Sequence, residues 1–214
     1  VTVTQMEKKF LKEIAYEKIK EKIIRGDYTD NPYTSENELV RELNMSRTPI
    51  REALHKLEHE KLIKLTGNGV IIQELSIKDT NDILDLRVAI EVFSLRKSIH
   101  LVKQKDIDEL QKIIDEQQVA VVNEDSYAFM QGDIRFHQYL LEIGDNDLFL
   151  EIMKNLRERL FTHGNRIFNK KAGRMLKSLN EHKEIVEHLA AGNHPEAILT
   201  LERHIENGKL RLLT

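Results

Sequence analysis

Cysteine is absent from the 214 residues. That excludes disulfide scaffolds, thiol nucleophiles, Cys-x-x-Cys redox centres and every zinc site that needs sulfur. Any bound metal must therefore be held by His and carboxylate. Tryptophan is absent too, aromatics make up 6%, and there are only 3 Pro and 9 Gly. With so few breakers and abundant Leu, Ile, Glu and Lys, the chain should be mostly helical. No apolar run approaches the roughly 18 residues needed to span a bilayer, and the opening VTVTQMEKKF has no hydrophobic signal core. A cytoplasmic protein without a membrane partner is expected. An excess of one charge is also missing, since 33 Lys+Arg stand against 36 Asp+Glu. A near-neutral total still permits a local basic face. What is present is an ordinary globular balance, 40% hydrophobic and 32% charged. At roughly 100–150 residues per domain, the length suits two domains.

Apolar Met6, Phe10, Ile14, Ile19 and Ile23 recur at helical steps and predict an amphipathic helix up to Arg25, ended by Gly26. Ser35-Glu36-Asn37-Glu38 reads as a capping box that opens a short helix to about Leu43. Asn44-Met45 makes a turn, since Asn tolerates the left-handed conformation. Ser46 then caps a helix that carries Pro49 in its first turn and ends near Lys61. Two short apolar runs around Thr66-Gly67-Asn68-Gly69 predict a hairpin, with no other β-structure in the chain. From Ser76 the pattern is helical throughout, with helices expected at about 79–102, 106–123, 126–142, 147–165, 175–191 and 195–212. The predicted organisation is a small mixed domain over 1–75, a linker and the start of a second domain over 76–82, and an all-helical bundle over 83–214.

Helix, short helix, tight turn, helix and hairpin is the order of a winged helix-turn-helix, whose second paired helix enters the DNA major groove. Arg47 and Thr48 fall in the first turn of that helix, and Arg51 lies four residues after Arg47 on the same face. Arginine pairs in bidentate fashion with guanine edges or phosphates, and Thr can contact a base, a phosphate or a thymine methyl. The alternative is a solvated helix face with Arg–Glu pairs. Residues 1–75 carry 13 Lys+Arg and 13 Asp+Glu, so the domain is not basic overall. The stretches YTSENEL and LNMSRTPIREAL resemble the DNA-binding domain of GntR-family bacterial transcription regulators. The resemblance implies operator contacts from Arg47, Thr48 and Arg51, with Ser46 beside them and a hairpin-tip glycine, Gly67 or Gly69, approaching the minor groove. Two departures stand out. Asn37 and Asn44 occupy positions where the family often has a basic residue and Gly, so one cationic contact is either missing or replaced by amide hydrogen bonding from Asn37.

Further along, Asp133 and His137 are four residues apart on one helix and can grip one divalent ion, or simply hydrogen-bond. His182 and His204 lie on two other apolar-striped helices, where an inward His is either a ligand or a satisfied core residue. The segments DLRVAIE, DIRFHQYL and SLNEHKEIVEHLAAGNHPEAILTLERHI resemble the all-helical FCD effector domain of the FadR-type branch of the same family. That resemblance implies that Asp133, His137, His182 and His204 hold one divalent metal. Such N₃O ligation suits Zn²⁺ or Ni²⁺ and accepts Mn²⁺ or Fe²⁺. It also places Arg87 near the pocket, where a guanidinium would pair with a small organic acid. Its alternative is an ion pair with Glu91 at i+4. His163 and Asn165 are further candidates for the pocket lining.

These expectations combine into a ligand-responsive regulator: a homodimer on a near-palindromic DNA operator, sensing a small carboxylated metabolite at a metal centre. Two alternatives are a metal-dependent enzyme acting on a small organic acid and a regulator with a purely structural metal. The chain has no HExxH, P-loop or GxSxG motif, which argues against turnover.

Overall fold

A computed structural model describes residues 3–28, 31–73, 76–154, 156, 161 and 173–213. The chain divides into two compact units, Val1–Glu74 and Leu75–Thr214. Among the described residues no helix is long and apolar enough to cross a membrane.

The first unit runs α1 (Val3–Arg25), β1 (Tyr33–Thr34), α2 (Glu36–Leu43), α3 (Arg47–His59), β2 (Ile63–Thr66) and β3 (Gly69–Ile72). Helix α1 buries Ala15, Tyr16, Ile19 and Ile23 against α3. Phe10, which the periodicity placed on that face, is instead 68% exposed. The Ser35 capping box forms as expected: its side chain accepts from the Glu38 N–H, and the Glu38 carboxylate accepts from the Ser35 N–H at 2.8 Å. Asn44 takes the left-handed conformation at φ 51°, ψ 47° and turns the chain from α2 into α3. Ser46 stands at the N-cap position of α3 but makes no side-chain capping bond.

The expected two-stranded hairpin is a three-stranded antiparallel sheet in the order β1-β3-β2, with Tyr33 opposite Ile71 and Thr34 opposite Val70. Two residues are too few to show a period of two, so β1 left no mark in the sequence. Its placement accounts for Gly69. A Cβ there would strike the Tyr33 ring and the Thr34 carbonyl, and the residue sits at φ +153°. Gly67 has open space around it.

The second unit contains α4 (Ile77–Arg87), a π-helical segment (Val88–Val92), α5 (Phe93–Ser98), α6 (Gln104–Val122), α7 (Ser126–Ile143), helical residues 147–154 as α8, α9 (Arg174–Ala190) and α10 (His194–Leu213). The single helix expected over 79–102 is thus interrupted at 88–92, where an i+5 turn admits one extra residue. Helix α6 packs on α7 and α9, α9 on α10, and α10 on α4. Phe129, Phe136, Leu110, Ile113, Leu179, Ile185 and Leu201 fill the interior between them. The helix expected over 147–165 extends beyond the described residues.

Candidate metal centre and nucleic-acid surface

In the helical unit the apolar stripes of α7, α9 and α10 turn inward, and each carries a polar residue into the core. Asp133 and His137 come from α7, His182 from α9 and His204 from α10, all buried. Each offers one ligand atom, and the four atoms lie within 4.8 Å of one another. The Nε2 atoms of His137 and His182 stand 3.1 and 3.2 Å from His204 Nε2, and His182 Nε2 is 3.6 Å from Asp133 Oδ1. The Phe136 ring stacks on His182 at 4.2 Å between centroids.

The opposite ring nitrogens explain this convergence. His137 Nδ1 lies 2.7 Å from Glu91, His204 Nδ1 2.7 Å from Glu181 and His182 Nδ1 2.9 Å from the Gln117 carbonyl. An ionised carboxylate can only accept, so His137 and His204 carry their protons on Nδ1 and aim Nε2 lone pairs inward. Burial would raise Glu91, but Arg87 and then His137 outweigh it and hold the carboxyl at about 2. His204 is pulled below its ordinary value by burial, against the hydrogen bond it donates to Glu181. Lone pairs facing each other at these distances repel unless a cation or proton lies between them. A cavity of imidazole nitrogens and one carboxylate, each imidazole backed by an acceptor, has the donor chemistry of a divalent metal site.

Arg87 is buried and donates from Nε to Glu91 at 2.6 Å. The Glu91 pairing weighed as its alternative is therefore present. Burial opposes the guanidinium charge, yet Glu91 more than offsets this and holds Arg87 above its ordinary value. Arg87 also borders a cavity of about 30 Å³ with Glu91, Met130, Asp133, His137 and Met153. That is roughly the space of a single water. His163 and Asn165 lie outside the described residues. Glu91, Gln117 and Glu181 escaped notice as site residues. Gln117 had left a signal, since it falls on the apolar stripe of Leu110, Ile113, Ile114 and Ala120.

In the first unit, Asn37, Ser46, Arg47, Thr48, Arg51 and Gly67 are all exposed. Pro49, Ile50, Ala53, Leu54 and Leu57 bury the other face of α3. Asn37, Arg47, Arg51, His55 and Thr66–Gly69 border a groove of about 420 Å³ between α3 and the β2–β3 turn. Glu36, which had no assigned role, accepts from Arg51 Nε at 2.7 Å and lies 3.9 Å from Arg47 Nε. It thus holds two cationic side chains on one exposed face.

Residues 11–72 match the family described as bacterial regulatory proteins, gntR family, and residues 82–207 match the FCD domain. The gluconate operon transcriptional repressor of Bacillus subtilis (strain 168) is 30% identical over 144 residues, a stretch covering 67% of this chain and 59% of that protein's length. A regulator of the GntR type from Rhodococcus sp. RHA1 shares the fold with a TM-score of 0.77 at 22% identity, covering 94% of this chain and 97% of that one. The metal-free FCD domain of another transcriptional regulator superposes with a TM-score of 0.53 at 21% identity, over 65% of this chain and 94% of the domain.

Proposed function

Since the chain belongs to the gntR family of bacterial regulatory proteins and carries an FCD domain over more than half its length, we propose that it is a ligand-responsive transcription regulator and not an enzyme. Its named relatives include repressors, so operator occupancy is read as repression. In this reading 1–75 binds DNA, 76–82 links, and 83–214 binds effector and pairs two copies. Arg47, Thr48 and Arg51 contact base edges or phosphates, Ser46 and Asn37 add hydrogen bonds, and the β2–β3 turn at Gly67 and Gly69 approaches the minor groove. A homodimer reading two half-sites about 34 Å apart suits such a unit.

Asp133, His137, His182 and His204 would hold one divalent ion, Zn²⁺ or Ni²⁺ by donor type, with Mn²⁺ or Fe²⁺ acceptable. Bound there, the ion would supply a Lewis-acid point for a carboxylate oxygen. The observation that carries this reading is the convergence of four buried ligand atoms within 4.8 Å, with an acceptor behind every imidazole. Arg87, on the cavity wall, is the cation to orient a small organic acid, and accepting one requires that roughly water-sized cavity to widen. His163 and Asn165 remain proposed as further lining. Effector binding regulates only if the acid prefers one of two arrangements of the dimer, with a coupling of about 1–3 kcal/mol.

The test is metal content of gently purified full-length protein, wild type beside His204→Ala, followed by a thermal-shift screen of small organic acids. One divalent ion per chain in the wild type, lost in the variant, with an acid that raises the melting temperature only of the loaded protein, is the expected result. No metal in the wild type overturns the sensing site. Metal with no acid response favours a structural ion.

A further inference from the structure

Two of the three inward imidazoles are backed by carboxylates, and the third is backed by an amide from a helix that supplies no ligand. Gln117 on α6 is fully buried. Its Oε1 lies 2.9 Å from His182 Nδ1. Its Nε2 finds no hydrogen-bond partner among the described residues. A buried orphan donor is rare enough to need a cause, because it keeps the cost of leaving water without a compensating bond. A Leu or Met would fill the same space without that cost, so the carbonyl end must be what the position requires.

The neighbouring helix is shaped to admit this side chain. Gly132 stands on α7 next to the ligand Asp133, and a Cβ built on it would come within 2.6 Å of Gln117 Cγ. Only a glycine there lets the amide pass to His182. The contact decides chemistry, since neutral imidazole carries one proton on one of its two nitrogens. With the Gln117 oxygen at Nδ1, the proton sits on Nδ1 and the Nε2 lone pair faces His204 and Asp133. Without an acceptor at Nδ1, the proton can move to Nε2, where it bonds to the His204 lone pair and closes the site.

We infer that Gln117, admitted by Gly132, is the positioning residue that makes His182 a metal ligand by fixing its tautomer. The inference rests on the proposed metal centre. It differs from the roles of Glu91 and Glu181 because an amide can present either an acceptor or a donor, so its orientation is a matter of packing and not of charge.

The experiment uses the full-length protein and Zn²⁺ alone, with affinity measured by competition against a chromophoric chelator. The forms are wild type, Gln117→Leu, Gln117→Glu and Gly132→Ala. Gln117→Leu should bind about 10–100-fold more weakly. Gln117→Glu, whose carboxylate can still accept from Nδ1, should recover most of the affinity. Gly132→Ala, whose added methyl meets the Gln117 side chain, should weaken binding in the same direction as Gln117→Leu. Long-range proton–nitrogen correlation spectra of the metal-free forms give an independent readout: His182 should be protonated on Nδ1 in the wild type and on Nε2 in Gln117→Leu. If the wild type binds no Zn²⁺, the metal centre and this inference fall together. If it binds and Gln117→Leu binds equally well, only the inference falls. Equal losses in Gln117→Leu and Gln117→Glu, or an Nε2-protonated His182 in the wild type, would reduce Gln117 to a packing residue and overturn it.

Discussion

Arg47 and Arg51 share Glu36, and the contact to Arg51 holds that guanidinium above its ordinary value through a hydrogen bond and charge. Both arginines remain exposed, so the pairing orients them without removing them from solvent. A bidentate arginine–guanine contact discriminates by about 1–3 kcal/mol. Arg51→Ala should therefore lower affinity for a duplex selected by the wild type from random sequences by roughly 5- to 150-fold, the equivalent of that energy range. Affinity for unrelated duplex should change far less, and metal content should not change. Fluorescence anisotropy on the two duplexes reads the difference, and retained preference for the selected one would contradict the assignment.

Helix α2 is eight residues long, too short to be stable by propensity alone, so its ends matter. The Ser35 cap satisfies one orphan N–H, and Ser35→Ala should cost the first unit about 0.5–2 kcal/mol in urea unfolding. The Glu38 carboxyl is lowered by hydrogen bonds from Thr34 and then from Ser35. A carboxyl whose folded pKa lies below its unfolded one contributes stability above the unfolded value, about 4.3, and loses it as pH falls through the folded value. Wild type should accordingly exceed Glu38→Gln in stability at pH 7, with the gap narrowing as pH falls below about 4.3 and through the lowered folded value. A gap that does not narrow with acidification would exclude the carboxylate as its source. At the same scale, Glu91 lies within the π-helical segment, where it meets both Arg87 one turn earlier and His137 on α7.

Two compact units with separate cores should unfold in two calorimetric transitions. Metal bound only to the folded helical unit stabilises it by mass action, by about 2.7 kcal/mol when free metal is a hundredfold above its dissociation constant. Chelation should lower one transition by several degrees and leave the other in place. The affected transition is assigned by Phe136→Ala, which removes the ring stacked on His182 and should cost that same unit about 3–5 kcal/mol. Movement of both transitions on chelation would show that the units are coupled in solution.

Local rules sufficed for much of this protein. The capping box at Ser35, the left-handed turn at Asn44, the exposed arginine face of α3 and the long helices of the second unit follow from nearest-neighbour hydrogen bonding and helical periodicity, which a linear chain displays. The four candidate ligands were legible as well, because a His or Asp in an apolar stripe is visible without knowing what it meets. Tertiary structure decided what each one meets. Strand β1 exists only because β3 pairs with it, and Gly69 is needed only because Tyr33 arrives there. The pairing of Gln117 with His182 spans 65 residues and that of Glu91 with His137 spans 46. No sequence period records such contacts, since they depend on how helices cross, and it is those crossings that turn three separate imidazoles into one site.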